Sequence, residues 1–237
     1  MCFNASSLTT VRFTSIQTTS PQTLKLFETP TGIRYLNVDS TTVAGLQRAK
    51  DLQLATSGLA DAMITNLIPQ AAAIFNPVNR GRLFTIFRHP LQRAMNVYNS
   101  AKIANPDVLE MSIADYAANY LPNNEMVRIL TGKGGDAMLT DSDLYMAMEI
   151  LRRKCVVGLV DRMTESMTRF YHYFGWSSLL MEGVTTCQNN LLAPGSGMLP
   201  TPAEGTDAYN FMLAQNRLDM RLYEYVQSLY DLQGGKA

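Results

Sequence analysis

The stretch RLFTIFRHPLQRAMNVY, residues 82–98, places an arginine between an apolar run and an amphipathic segment. Arg88 follows the apolar run directly, and Pro90 suits the first turn of a helix, where its missing N–H is no loss. A guanidinium group can hold a phosphate through two parallel hydrogen bonds, and the start of a helix favours the same anion. Asn96, on the polar face of the predicted helix with Arg93, can donate its amide to that anion. Anion binding is therefore one interpretation of Arg88, and the alternative is a cap or salt bridge to a neighbouring element.

The charge distribution gives a local reason to consider an anion site. The whole chain has 20 basic and 20 acidic residues, a balance that argues against a dedicated nucleic-acid or membrane-surface protein. No carboxylate occurs between Asp61 and Asp107. Five basic residues fall in that window: Arg80, Arg82, Arg88, Arg93 and Lys102. A chance cluster in a helix-rich stretch is the alternative explanation.

Strands alternate with helices along the chain, which predicts an α/β fold with a mostly parallel sheet. The clearest strands are residues 82–87 and 154–160, and a shorter strand is predicted at 33–38. The first of these is so apolar that we expect it to be covered on both faces. Residues 1–32 are predicted to be a poorly determined segment, and residues 33–237 to form a single domain.

Several helices are predicted from apolar spacing and from their end signals. Residues 57–75 are expected to form one helix, opened by Ser57 and bent or broken at Pro69. Residues 209–235 are expected to form one long helix. Its predicted buried stripe consists of Leu218, Leu222, Tyr225, Leu229 and Leu232.

The composition limits metal, disulfide and membrane chemistry. Three cysteines without metal-ligand spacing do not make a disulfide framework, and Cys155 is expected to be a core residue. With two histidines in the chain, no metal site is predicted. The first 20 residues lack the basic and apolar regions of a signal peptide or anchor, so the chain is expected to be soluble as given.

FTIFRHPLQRAMNVY resembles the phosphate-binding strand–helix motif of PAPS-dependent sulfotransferases. The blocks NNEMVRILTG, LRRKCVVGLVDRMTESMTRFYHYFGW and NRLDMRLYEYVQSLYDLQ are similar, in order, to later blocks of the Golgi-type carbohydrate sulfotransferases. The resemblance covers roughly residues 80–233. It implies a layered fold of the P-loop NTPase type, PAPS as the sulfuryl donor without a metal, a carbohydrate hydroxyl as the acceptor, and a location in the Golgi. It also implies that Arg88 holds the ribose phosphate of PAPS and that Asn96 replaces the family's serine.

The sequence departs from this family at two places. His89 stands where an acidic residue is more usual, and residues 1–60 contain no glycine-rich loop with a lysine or arginine for the donor's other phosphate. Lys133, in the sequence GKGGD, is expected to lie in a surface turn between two helices. The sheet is therefore expected to be incomplete at the N-terminus. An active sulfotransferase and an inactive or truncated relative that serves as a binding module both remain open, whereas the absence of a Walker-type loop argues against a kinase-like enzyme.

The general base that would accept the proton of the acceptor hydroxyl is not identified by the sequence. The carboxylates upstream of Arg88, none in a recognisable context, are Glu28, Asp39, Asp51 and Asp61. His172 is expected to be solvated and not catalytic. His89 is close to the predicted phosphate and is a minor candidate for the base. Arg128 is expected to form a structural salt bridge, with contact to the donor or to an acidic acceptor as the alternative.

Overall fold

The computed structural model describes residues 7–8, 22–28, 34–60, 62–175 and 199–234. These residues divide into two compact units, the first containing the described residues up to Arg82 and the second those from Leu83 onward. The predicted single domain over residues 33–237 stays a prediction. No helix of the described residues is both long and apolar enough to cross a membrane.

The first unit is built from short elements around a small apolar core. Its elements are β1 (Ser7–Leu8), β2 (Leu26–Glu28), β3 (Arg34–Leu36), α1 (Val43–Asp51), α2 (Leu54–Ser57), β4 (Ala62–Met63) and α3 (Ile68–Ala72). Strands β2 and β3 pair antiparallel, and β1 pairs parallel with β4. The buried residues of this core are Leu36, Val38, Leu46, Ala49, Leu54, Ala71 and Ile74.

The prediction of one helix over residues 57–75 is wrong. Ser57 ends α2, where its hydroxyl donates to the carbonyl oxygen of Leu54 at 2.8 Å, and Gly58 follows in the left-handed region at φ 64°. Pro69 lies in the first turn of the separate helix α3. A proline fits this position because the first N–H groups of a helix have no intrahelical partner, so Pro69 marks a helix start and not a break.

The second unit contains the motif with Arg88. Its elements are β5 (Leu83–Phe87), α4 (Pro90–Ala104), α5 (Pro106–Leu109), α6 (Ile113–Asn119), α7 (Glu125–Thr131), α8 (Asp141–Lys154), β6 (Cys155–Leu159), a 3₁₀ turn (Val160–Arg162), α9 (Met163–Phe174), α10 (Asp207–Gln215) and α11 (Arg217–Gly234). The strand predictions at 82–87 and 154–160 are confirmed to within one residue at each end. The prediction of an α/β fold is confirmed by the parallel pairing of β5 with β6.

Helices of this unit lie on both faces of the parallel pair. On one face Val157 and Leu159 join the core formed with α7, α8 and α11. On the other face Phe84 makes an edge contact with Phe170 of α9, at 5.4 Å between ring centroids. Because side chains alternate along a strand, β5 and β6 can supply both layers at once.

Strand β5 is less buried than expected for a strand covered on both faces. Phe87 is its only buried residue, and Ile86 is 36% exposed. By contrast, four of the five residues of β6 are buried. The apolar run at 82–87 therefore predicted the strand correctly but overestimated its burial. The run of apolar residues favours a strand locally, whereas burial depends on how other elements pack over it.

The outer edge of β6 is closed by side chains. The Oε1 of Gln233 accepts from the N–H of Val157 at 3.0 Å, and its Nε2 donates to the carbonyl oxygen of Cys155 at 2.9 Å. The next N–H on this edge, that of Leu159, donates to Oγ of Ser166 at 2.9 Å. One glutamine and one serine thus take the place of a further strand. Cys155 is buried in the core, as predicted.

The prediction of one long helix over residues 209–235 is wrong, because the helix is interrupted at Asn216, between α10 and α11. The side chain of Asn216 donates to the carbonyl oxygen of Met212 at 2.8 Å. Leu218, Leu222 and Leu229 are buried as predicted, but Leu232 is 69% exposed.

Candidate functional site

The candidate site lies at the carboxyl ends of the two parallel strands. Phe87 and Leu159, the last residues of β5 and β6, are partners in the ladder. The residues that follow them are Arg88 in one strand–helix junction and Val160 in the other. Each junction leads into helical structure, α4 after β5 and the 3₁₀ turn with α9 after β6. This is the edge of an α/β sheet where ligands bind.

Arg88 is partly buried at this edge. Among the residues that the structure describes, its guanidinium makes no hydrogen bond and no ion pair. The cap or salt bridge that was the alternative for Arg88 is therefore not observed in that part of the chain. A guanidinium without a protein acceptor keeps all five of its N–H donors for a ligand or for water.

His89 forms the N-cap of α4. Its Nδ1 accepts from the N–H of Leu91 at 3.3 Å. The imidazole ring also packs against the ring of Tyr223 on α11 in a T-shaped contact, with ring centroids 5.4 Å apart. Burial lowers the pKa of His89, and the nearby carboxylate of Asp161 opposes that shift. At neutral pH the ring is therefore neutral, with its proton on Nε2.

Asp161 and Tyr223 connect the junction after β6 to His89. The hydroxyl of Tyr223 donates to Oδ2 of Asp161 at 3.0 Å. Burial raises the pKa of Tyr223, and its hydrogen bond to Asp161 acts in the same direction. Neither residue was predicted as a site residue from the sequence. Asp161 follows the second predicted strand as Arg88 follows the first, so the strand-end rule applied to both strands would have found it. Tyr223 had no local signal.

Asn96 lies in α4, but its amide is already used within the helix. Its Nδ2 donates to the carbonyl oxygen of Gln92 at 2.8 Å. A contact between Asn96 and an anion would require this bond to break or to be shared. The role implied for Asn96 by the resemblance stays a prediction.

Two of the basic residues that the charge distribution grouped with Arg88 have partners of their own in the second unit. Arg93 forms an ion pair with Glu125 at the start of α7. The Nζ of Lys102 lies 5.4 Å from the ring centroid of Tyr98. Arg80 and Arg82 belong to the first unit. Three of the five basic residues between Asp61 and Asp107 lie in the second unit. Of these three, Arg88 alone has no protein partner among the described residues.

Lys133 lies in the turn between α7 and α8, as predicted for GKGGD. Its Nζ contacts Oδ1 of Asp143 at 2.7 Å, and this contact is the main reason why the pKa of Asp143 is lowered to about 2. The lysine therefore holds Asp143, the third residue of α8, whose Oδ2 also accepts from the backbone and hydroxyl of the N-cap residue Thr140. This arrangement gives Lys133 a structural role.

The remaining candidates fall into three groups. The guanidinium of Arg128 donates to the side chain and carbonyl of Asn123 and to the carbonyl of Gly134. These contacts are structural, but the expected salt bridge is not formed with any of the described residues. His172 is exposed, also as expected. The upstream carboxylates Glu28, Asp39 and Asp51 lie in the first unit, and Asp61 lies outside the described residues. No general base is assigned by these positions.

A cleft of about 410 Å³ lies elsewhere in the second unit, at the starts of α7 and α11 and the loop before α8. Its charged lining residues are Arg128, Asp136 and Arg217. Neither Arg88 nor His89 lines it. Within the described ranges, no group of three or more histidine, cysteine, aspartate or glutamate side chains is arranged to hold a metal ion.

Comparisons with known proteins do not identify a relative. No family model matches the chain, and no significant match was found among the curated proteins or among the solved structures.

Proposed function

We propose that the chain is a sulfotransferase of the Golgi-type carbohydrate class, which binds PAPS and transfers its sulfuryl group to a carbohydrate hydroxyl. The proposal includes a layered fold of the P-loop NTPase type and a place in the Golgi. The observation that carries it is the partly buried guanidinium of Arg88, without a partner among the described residues, at the carboxyl end of β5 and the start of α4.

This position suits the phosphate on the ribose of the donor. Arg88 supplies two parallel N–H donors, and the 15-residue helix α4 directs its N-terminus toward the same edge of the sheet. The ordered similarity of residues 80–233 to the sulfotransferase blocks supports PAPS over other phosphate compounds.

The reaction moves one group between two oxygens. The acceptor hydroxyl oxygen forms a bond to sulfur as the bond between sulfur and the phosphate oxygen of PAPS breaks. The hydroxyl proton passes to a base, and adenosine 3′,5′-bisphosphate (PAP) leaves with the electron pair. Arg88 acts in this scheme by holding the donor in place, and no residue is assigned as the base.

The direct test is a thermal-unfolding titration of the full chain with PAP. Saturation at about 100 times the dissociation constant stabilises a protein by about 2.7 kcal/mol. For a chain of this size we expect the melting temperature to rise by about 5–10 °C.

Two nucleotides serve as matched controls. AMP differs from PAP only by the missing 3′-phosphate, and ADP carries two phosphates that are both on the 5′ side. We expect a clearly smaller shift with each. Equal shifts with ADP and PAP would contradict the 3′-phosphate site, and a folded protein that none of the three stabilises would contradict donor binding and favour the inactive relative.

A further inference from the structure

His89 uses the same N–H that an anion at the start of α4 would need. Pro90 has no N–H, so Leu91 carries the first N–H of the helix, and His89 Nδ1 accepts it at 3.3 Å. In the ligand-free protein the imidazole therefore occupies a donor beside Arg88. A helix start with its first N–H capped is a weaker anion site than one with that N–H available.

The protonation state of His89 decides whether this cap exists. Neutral imidazole accepts through Nδ1, whereas the imidazolium ion has a proton on both nitrogens and accepts nothing. A protonated His89 must therefore release the N–H of Leu91. The released N–H and the new positive charge both favour an anion at this position.

We propose that an anion bound at Arg88 takes the N–H of Leu91 from His89, and that His89 takes up one proton from solvent as it releases that N–H. His89 is thus a positioning residue that couples anion binding to proton uptake. The inference rests on the proposed anion site at Arg88, but it concerns a residue and a coupling that the proposed function does not require.

The charges around His89 fit this coupling. Arg88 is the adjacent cation and disfavours a second positive charge while the site is empty. Two groups face His89 from other elements: Asp161, whose carboxylate favours the protonated ring, and Tyr223, whose ring packs on it. A bound dianion offsets the charge of Arg88, and the carboxylate of Asp161 then adds to the stabilisation of the imidazolium. Burial, which lowers the pKa of His89, keeps the ring neutral until that happens.

The experiment is an NMR titration of the histidine rings in the full chain. The chain has two histidines, so a His172→Gln variant assigns the remaining ring signal to His89. The probe is inorganic sulfate, which stays fully ionised near neutral pH, compared with chloride at the same ionic strength. We expect saturating sulfate to shift the amide signal of Leu91 and to raise the pKa of His89 by about one unit. One unit corresponds to about tenfold tighter sulfate binding by the protonated form.

Two variants isolate the coupling. Arg88→Ala should abolish the rise in the pKa of His89. His89→Asn keeps a good N-cap residue that does not titrate. It should therefore bind sulfate with an affinity that is constant from about pH 5.5 to 8, whereas the wild-type affinity should fall as pH rises through the pKa of His89.

Two outcomes would contradict the coupling between anion binding and proton uptake. If sulfate moves the Leu91 amide but leaves the titration of His89 unchanged, the coupling is wrong while the anion site stands. If sulfate moves neither signal, no anion competes for this N–H and the coupling is also wrong. The PAP titration judges the proposed function separately, because its readout does not depend on His89.

Discussion

Asn124 and Asp219 hold the starts of two helices together. Asp219, in the first turn of α11, accepts through its two carboxylate oxygens from the N–H groups of Met126 and Val127 at 2.9 Å each. Asn124, which precedes α7, accepts through Oδ1 from the N–H groups of Leu218 and Asp219 at 2.7 and 3.2 Å. Each helix start is thus capped by a side chain from the start of the other, across more than 90 residues of sequence. These hydrogen bonds hold the start of α7 against the start of α11.

Replacing Asp219 should destabilise the second unit. The residue is fully buried, so Asp219→Ala leaves two N–H groups without acceptors, and we expect a loss of about 2–4 kcal/mol in the free energy of unfolding. Asp219→Asn retains one accepting oxygen and should lose roughly half as much. Urea unfolding measures the loss, and hydrogen exchange at Met126 and Val127 locates it.

Asp231→Asn is the matched control for this prediction. Asp231 is on the same helix, but its side chain is 68% exposed and pairs with Arg162 at the surface. Its loss should be below about 1 kcal/mol. Equal effects of Asp219→Asn and Asp231→Asn would contradict the importance of the reciprocal caps.

Asp143 should make stability depend on pH in the acid range. Its contacts with Lys133 and Thr140 lower its pKa from the ordinary 3.8 to about 2. The folded state therefore binds this proton less readily than the unfolded state does, so the carboxylate stabilises the fold above about pH 4. That contribution is lost as the pH falls toward about 2.

Urea unfolding from pH 2 to 5 tests this dependence. The wild-type free energy of unfolding should fall more steeply with acid than that of Asp143→Asn, and Lys133→Met should shift the midpoint of the fall to higher pH. Parallel curves for the wild type and Asp143→Asn would show that Asp143 does not contribute.

Leu229 and Leu232 form a matched pair on α11. Both belong to the stripe predicted from spacing, but Leu229 is 6% exposed and Leu232 is 69% exposed. Leu229→Ala should cost about 2–5 kcal/mol. Leu232→Ala should change the free energy of unfolding by less than about 0.5 kcal/mol. Chemical denaturation measures the loss in the free energy of unfolding for each variant. The structure predicts unequal losses, whereas the prediction from spacing expects similar ones.

The sequence predicts elements well where local signals agree. Strand β5, helix α4 with Pro90 in its first turn, and helix α8 with its Thr140–Asp143 capping pattern all follow from such signals. The break at Asn216 does not, because the donors at the start of α11 are satisfied by Asn124, a residue distant in sequence. The apolar spacing also predicted that Leu232 is buried. The spacing of residues in one helix cannot show how far the neighbouring helices extend along it.

The candidate site shows the same limit. Arg88 was found from a strand end and a proline, both of which are local. The link from His89 through Tyr223 to Asp161 depends on α11 packing against two strand ends, and no sequence pattern encodes that contact. The basic residues near Arg88 in sequence were misleading, because helical geometry directs Arg93 to Glu125 and Lys102 to Tyr98.

The most direct test of the phosphate site at Arg88 compares the dissociation constant of PAP for the wild type, Arg88→Ala and Arg153→Ala, measured by calorimetry. Arg153 lies in the last turn of α8, two residues before the first residue of β6. That is the opposite end of the strand pair from Arg88, so the control removes the same charge elsewhere. Loss of charge-assisted hydrogen bonds should weaken PAP by about 10- to 150-fold in Arg88→Ala. Arg153→Ala should bind PAP like the wild type. Equal affinities in all three proteins would contradict the assignment of Arg88 as the phosphate-binding residue.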